Sequence, residues 1–182
     1  FWLYLSLCII FYPRFKMLWA NQIIMSVIML VLISGCYDAI YSIRLASNGS
    51  AYLLYLLCLI WGADSGAYFA GKAFGKNKLI PNVSPGKTIE GALGALLVVL
   101  LIATIAIYYF NVQSYALWYL ASIIVLVSTV FGDLLISMFK RRANLKDTGT
   151  ILPGHGGVLD RVDSLLCASV FYYFFMNMFK FI

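Results

Sequence analysis

Charge is what this sequence has least of. Asp, Glu, Lys and Arg make up 11% of its 182 residues, against about a quarter in an ordinary water-soluble domain. Hydrophobic residues make up 63%, and the mean hydropathy is +0.93. That balance excludes a single water-facing globule, because no soluble core of this size hides so much apolar surface. Histidine occurs once, as His155. The four cysteines (Cys8, Cys36, Cys58 and Cys167) are scattered through apolar runs with no C-x-x-C pair. Zinc-site and disulfide-framework readings are therefore excluded, and the thiols read as small buried hydrophobes. A basic N-terminal segment followed by a small-residue cleavage site is also missing, so no cleavable signal peptide is expected. No repeat, low-complexity segment or clear linker is visible, and no soluble domain that could carry a nucleic-acid surface.

What is present is a series of long apolar runs. Residues 17–40, 51–70, 89–110, 115–137 and 164–182 are each long enough to cross about 30 Å of hydrocarbon as a helix. Residues 1–12 are too short and read as the tail of a cut helix. The chain opens on Phe1 inside an apolar run, so it reads as N-terminally truncated. The runs are long and do not alternate, which points to helices rather than barrel strands. The expected fold is all-α: a polytopic transmembrane helical protein of about five full spans plus a partial N-terminal one, forming a single domain over 1–182.

Lysine and arginine set the orientation. Arg14, Lys16, Lys72, Lys76, Lys78, Lys87, Lys140, Arg141, Arg142, Lys146 and Arg161 fall in segments that alternation places on one side, leaving only Arg44 and Lys180 opposite. The positive-inside rule puts both long polar loops in the cytoplasm. The formal charge of +6 is thus concentrated on one face, where anionic lipid attracts it.

Some polar residues do not suit plain spans. Asp64 and Asp133 lie inside apolar runs, where a charge costs at least a few kcal/mol and needs a partner, a wet cavity or a metal. Asp38 lies near an outer helix end, where water can reach it. In "FGDLLISMFKRR" (131–142), Asp133, Ser137, Lys140 and Arg141 share one helix face; a salt-bridged helix end is the plain alternative. Asp64, Tyr68 and Lys72 share another. Gly62, Gly66, Gly71 and Gly75 are small residues that let helices approach closely. "SPGKT" (84–88) tempts a phosphate-loop reading, but the first glycine of that motif would fall at Pro81. A helix starting after Ser84, with Pro85 at its first position, is expected instead. Finally, "KRRANLKDTGTILPGHGGVLDRVDS" (140–164) holds four cations before Gly149, a glycine-rich turn, then Asp160 and Asp163. Glycines let backbone N–H groups approach an anion, and a hard cation such as Mg²⁺ takes carboxylates together with phosphate oxygens. The combination suggests a nucleotide and a metal bound at a membrane surface.

Ser137, Lys140-Arg141, Lys146-Asp147, Pro153, His155-Gly156-Gly157 and Asp160-Arg161-Val162-Asp163 resemble the signature of phosphatidate cytidylyltransferases, the CDP-diacylglycerol synthases. The pattern is S-x-x-K-R-x(4)-K-D-x-[small]-x-x-[apolar]-P-x-H-G-G-[apolar]-x-D-R-[apolar]-D, and every defined position fits. "AYFAGKAFGKNKLIPNVSPGKTIEG" (67–91) resembles the family's other polar loop, so the motif-bearing part covers about 60–170. The resemblance implies an integral membrane nucleotidyltransferase of phospholipid biosynthesis. It would sit in a bacterial inner membrane with its site facing the cytoplasm, and would convert CTP and phosphatidate to CDP-diacylglycerol and pyrophosphate with Mg²⁺. It also implies a second metal ion or a monovalent cation such as K⁺, and a homodimer.

By motif position Asp133 and Asp160 are the implied metal ligands, and Asp64 is added as a candidate for the same cavity. Lys140, Arg141, Lys146 and Arg161 are expected to hold the triphosphate and the lipid phosphate, with Lys72, Lys76, Lys78 and Lys87 as a second set. Ser137 would bond a phosphate or sit near the metal. Asp147 would orient Lys146 or accept from the cytidine or ribose, and Asp163 would orient Arg161 or His155. His155, with Gly156 and Gly157, is expected as a turn or phosphate-contact element. Two alternatives stay open: a CTP-dependent enzyme acting on another lipid phosphate, and a cation transporter with Asp64 and Asp133 along an ion path.

Overall fold

The computed structural model describes residues 1–12, 20–81, 83–145, 147–149 and 157–182. Among them are six helices and one short hairpin: α1 (Trp2–Ile10), α2 (Gln22–Leu45), α3 (Gly49–Phe74), β1 (Lys78–Ile80), β2 (Ser84–Thr88), α4 (Ile89–Phe110), α5 (Tyr115–Arg142) and α6 (Leu159–Met178). Four of these, α2 to α5, are long and apolar enough to cross a membrane. α6, expected as a span over 164–182, begins five residues earlier and so carries Asp160, Arg161 and Asp163 in its first turns. Outward-facing side chains are apolar over much of the bundle: Leu97 is 70% exposed and Tyr108 79%. Lipid, which removes such a surface from water, is its natural solvent. The protein is an all-α polytopic integral membrane protein, as the apolar runs require.

Local chemistry sets the helix ends. Asn21 caps α2, its side-chain oxygen accepting from the Ile23 N–H at 2.8 Å. The turn into α3 is tight enough that a Cβ on Gly49 would meet the Ile43 carbonyl oxygen, a contact only glycine avoids. Asn144, in the left-handed conformation (φ 56°), ends α5. The segment "SPGKT" departs from expectation. It is strand β2, antiparallel to β1 with Lys78 opposite Thr88 and Ile80 opposite Ser84, and α4 starts only at Ile89. The helix waits because Thr88 is the better cap: its hydroxyl accepts from the Gly91 N–H at 3.1 Å. Glu90 then fastens the preceding link, accepting from the Lys76 N–H at 3.1 Å and from the Asn77 side-chain amide at 2.8 Å.

α3 and α4 form the most extensive helix pair, and glycines bring them together. A Cβ on Gly66 would lie 2.7 Å from the Gly94 carbonyl oxygen, and one on Gly62 would strike Ile102. The close-packing role expected for these glycines is the one they fill. At the 46–48 and 111–114 end, aromatic rings lock the bundle. Tyr55 stacks on Trp118 with centroids 4.9 Å apart, and its hydroxyl shares a 2.7 Å hydrogen bond with Ser122. The Tyr172 hydroxyl donates to the Tyr52 carbonyl at 3.0 Å. A second core joins α1, α2, α5 and α6 through Leu5, Leu32, Leu135, Met138 and Cys167. The four cysteines are free and lie in helices, three of them buried.

Gly66→Val is expected to force α3 from α4 and cost about 1–3 kcal/mol of stability, a typical overpacking penalty. Gly86→Ala is the control, because a Cβ there meets nothing within 4 Å. Thermal unfolding in detergent should show a lower midpoint for the first variant alone.

Candidate functional site

Two lysine–aspartate pairs organise the end of the bundle opposite the aromatic lock. Lys87, on β2, turns inward and places its Nζ 2.6 Å from Asp133 Oδ2 on α5; the same ammonium donates to the Val130 carbonyl at 3.4 Å. Asp133 Oδ1 accepts from the Ser137 hydroxyl at 3.3 Å, one turn on. Lys140, two turns beyond Asp133 on α5, reaches across to α6 and donates to Asp160 Oδ1 at 2.8 Å. These side chains are 16% and 8% exposed for Lys140 and Asp160, against 24% and 31% for Lys87 and Asp133. The shared face read from the sequence is therefore real, but it divides: Asp133 and Ser137 meet each other, while Lys140 serves Asp160.

Asp160 brings Thr148 and Gly157 together. Its Oδ2 accepts from the Thr148 N–H at 2.8 Å, the Thr148 hydroxyl at 2.9 Å and the Gly157 N–H at 2.9 Å. Burial by itself pushes this carboxyl up, but Lys140 and the three donors from Thr148 and Gly157 outweigh it and hold Asp160 well below the usual carboxylate range. Gly157 is buried, and a Cβ on it would strike the Thr148 hydroxyl.

α5 and α6 meet at Gly132, where a Cβ would lie 2.6 Å from the Asp163 carbonyl oxygen. That approach sets Asp163 beside Asp133. Asp163 interacts electrostatically with Asp133, Lys140 and Asp64, and Asp64 with Lys87 and Asp133. Asp64, Asp133 and Asp163, from three helices, thus share one electronegative region with two lysines. Among the described residues, no three side chains of metal-binding type converge closely enough to enclose an ion by themselves. A hard cation here would need ligand oxygens from a substrate as well, the usual habit of Mg²⁺.

Two hollows flank the pairs. A cavity of about 230 Å³ lies between α3, α4 and α5 under the hairpin and includes Asp64, Lys87, Thr88 and Thr129 in its lining. A groove of about 730 Å³ runs between α2 and α5, with an apolar wall that includes Met25, Met29 and Phe139, and reaches Lys140, Arg142 and Thr148.

The other expected residues are placed unevenly. Lys72 sits 5.7 Å above the Tyr68 ring, a cation–π contact on the expected helix face. Lys72, Lys76, Lys78, Arg141 and Asp147 are exposed. Arg161 is in the first turn of α6, with interaction partners of its own. Lys146, His155 and Gly156 lie outside the described residues. Sequence reasoning missed Thr148, whose amide and hydroxyl both serve Asp160, and Thr129; it gave Asp163 an orienting role rather than a place in the acidic group. A threonine inside an apolar run carries no signal of its own. The i, i+3 spacing of Asp160 and Asp163 was visible, but which carboxylate faces Asp133 depends on how α6 meets α5.

A family model described as "Cytidylyltransferase family" matches residues 1–179. Curated relatives include a phosphatidate cytidylyltransferase of Haemophilus influenzae, 47% identical over 133 residues that cover 70% of this chain and 46% of the relative. One from Bacillus subtilis is 42% identical over 154 residues, covering 82% and 56%. One from Pseudomonas aeruginosa is 37% identical over 170 residues, covering 92% and 62%. The chain spans about half the length of the curated relatives it matches.

The buried Lys140–Asp160 pair generates a stability prediction. Asp160→Ala strands an ammonium and three donors, an expected loss of about 3–5 kcal/mol. Combining it with Lys140→Met should restore part of that loss. Urea or thermal unfolding in detergent checks both, and amide exchange at Thr148 and Gly157 should rise in either variant.

Proposed function

Because this chain belongs to the cytidylyltransferase family, we propose that the protein containing it transfers the cytidylyl group of CTP to phosphatidate, giving CDP-diacylglycerol and pyrophosphate. The observation that carries the reading is the convergence of Lys87–Asp133 and Lys140–Asp160 at one end of the bundle, beside an apolar groove that reaches Lys140 and Arg142. A lipid phosphate needs apolar surface for its chains and cations for its head. The groove supplies both, and Lys140 lies on the groove and in the charged site at once. The charge asymmetry of the loops favours a cytoplasm-facing site in a bacterial inner membrane.

In the proposed reaction an oxygen of the phosphatidate phosphate attacks the α-phosphorus of CTP, and the bond from that phosphorus to the oxygen bridging it to the β-phosphate breaks. Pyrophosphate leaves with the electron pair. No covalent protein intermediate is needed, so the protein's work is positioning and charge neutralisation. Lys87 is the lysine of the 72–87 group that reaches the acidic region, so it is assigned to the triphosphate. Lys140 and Arg142, which line the groove, take the lipid phosphate. Ser137 holds Asp133 in orientation.

The residues fit a divalent cation. Asp133, Asp160 and Asp163 would hold Mg²⁺ together with CTP phosphate oxygens; Asp133 faces Lys87 and Ser137, and Asp160 faces Lys140, Thr148 and Gly157, partners that a metal would displace. Once bound, that ion supplies charge neutralisation on the triphosphate. Metal entry would require Lys87 to leave Asp133 Oδ2, which frees its ammonium for phosphate.

The test uses the full-length protein in detergent with radiolabelled CTP and a panel of lipid phosphates, with and without Mg²⁺ and K⁺. Phosphatidate is expected to be the preferred acceptor. Asp133→Asn is expected to lower kcat at least 10³-fold, several kcal/mol of transition-state stabilisation, while the protein still inserts and elutes as a folded species. Near-normal incorporation by this variant at saturating Mg²⁺ would remove Asp133 from the mechanism. Preference for another lipid phosphate would reassign the substrate.

A further inference from the structure

We propose that the cavity between α3, α4 and α5 is a slot for the nucleobase of the nucleotide, with Asp64 and Thr129 reading the hydrogen-bonding edge of cytosine; this rests on the reading of CTP as substrate. Three features carry it. The cavity holds about 230 Å³, roughly eight waters' worth of liquid at about 30 Å³ each, room enough for a pyrimidine ring. Its α3 and α4 walls carry the short side chains Ala63, Ala67, Ala92 and Ala95, with Tyr68 beside them, and α5 adds Leu126 and Val130, apolar surface for the faces of a planar ring. Two polar groups on its lining lack hydrogen bonds among the described residues. The Asp64 carboxylate feels Lys87, Asp133 and Asp163 electrostatically, with no hydrogen bond among the described residues. The Thr129 hydroxyl, on a residue 2% exposed, is buried with no partner at all.

Such groups are costly to leave unpaired, and their chemistry selects an occupant. A phosphate inside the slot is disfavoured because Asp64 repels it, and Lys87, the one cation on its lining, points out toward Asp133. An acyl chain would leave Asp64 and Thr129 unsatisfied. A ring bearing an exocyclic amine satisfies both: the carboxylate accepts from the cytosine N4 amine, and the threonine hydroxyl donates to N3 or O2. Uracil presents a carbonyl oxygen where cytosine has the amine, and the carboxylate rejects it. Threonine in a helix takes either of two side-chain rotamers, so the hydroxyl can turn to its partner. With the base in this slot, Lys87 at its rim leads toward Asp133, where the phosphates are placed by the proposed reaction.

The experiment measures kcat/KM for CTP and UTP, at saturating phosphatidate, in the full-length wild type and in Asp64→Asn and Thr129→Val. It also measures competition by cytidine and uridine monophosphates. Wild type should prefer CTP strongly. Asp64→Asn can donate as well as accept, so the CTP-to-UTP ratio should fall at least about tenfold and the preference for cytidine monophosphate should fall with it. Thr129→Val keeps its shape and should lose about tenfold in kcat/KM for CTP, with KM for phosphatidate, measured separately at saturating CTP, unchanged. If Asp64→Asn loses activity equally toward both nucleotides and needs more Mg²⁺, Asp64 is a metal ligand and the slot reading is overturned. An unchanged ratio in both variants overturns it while leaving the CTP reading intact. A wild type inert toward every nucleoside triphosphate would sink that reading and this one with it.

Discussion

A carboxylate at membrane depth must be met by a cation, and the whole polar end of this molecule answers that requirement. The charge sits where water is scarce and costs several kcal/mol if left alone. Lys87, on the hairpin, meets Asp133 of α5, and Lys140, on α5, meets Asp160 of α6. Each pairing fixes an element that has little else to hold it. Lys87 draws β2 down onto α5. Asp160, the partner of Lys140, holds Thr148 and Gly157 to the start of α6. The polar residues are the fold's means of closing this end, and the same charges are what a phosphate or a metal would compete for.

The opposite end is built differently. There Tyr52, Tyr55, Trp118 and Tyr172 interlock through rings and hydrogen bonds, and every hydroxyl or indole N–H in that group finds a partner. One end is thus fixed by packing that no substrate disturbs. The other is fixed by ion pairs whose partners can be exchanged. A bundle anchored in this way can rearrange charges at its open end without loosening its helices.

The helices were legible because burial in lipid demands long apolar runs. The run 89–110 coincides with α4. α5 outlasts its run by five residues, to Arg142, because Ser137, Lys140 and their neighbours continue the helix into the polar layer. α6 begins early because Asp160 and its donors nucleate it before the lipid-facing stretch. The hairpin was not legible. "SPGKT" carries the marks of a helix start, and only the pairing with Lys78–Ile80 and the cap at Thr88 override them. In the site, the Asp133–Ser137 contact follows from helical spacing alone. The Lys87–Asp133 pair joins residues from distant stretches through tertiary packing, and the unpartnered Thr129 is invisible until its surroundings are known.

The order of elements α3, β1, β2, α4 has a consequence for assembly in the bilayer. The hairpin is the connection between the two helices that pack most closely, so α3 and α4 with their glycine seam form one contiguous unit of chain. That unit carries Asp64 on one helix and Lys87 on the connector, and the two influence each other electrostatically. A nascent chain that inserts this helical pair together therefore brings the counter-charge for its acid with it, before α5 and Asp133 have been made. The acid on α3 thus has a cation on its own helical pair, independent of α5.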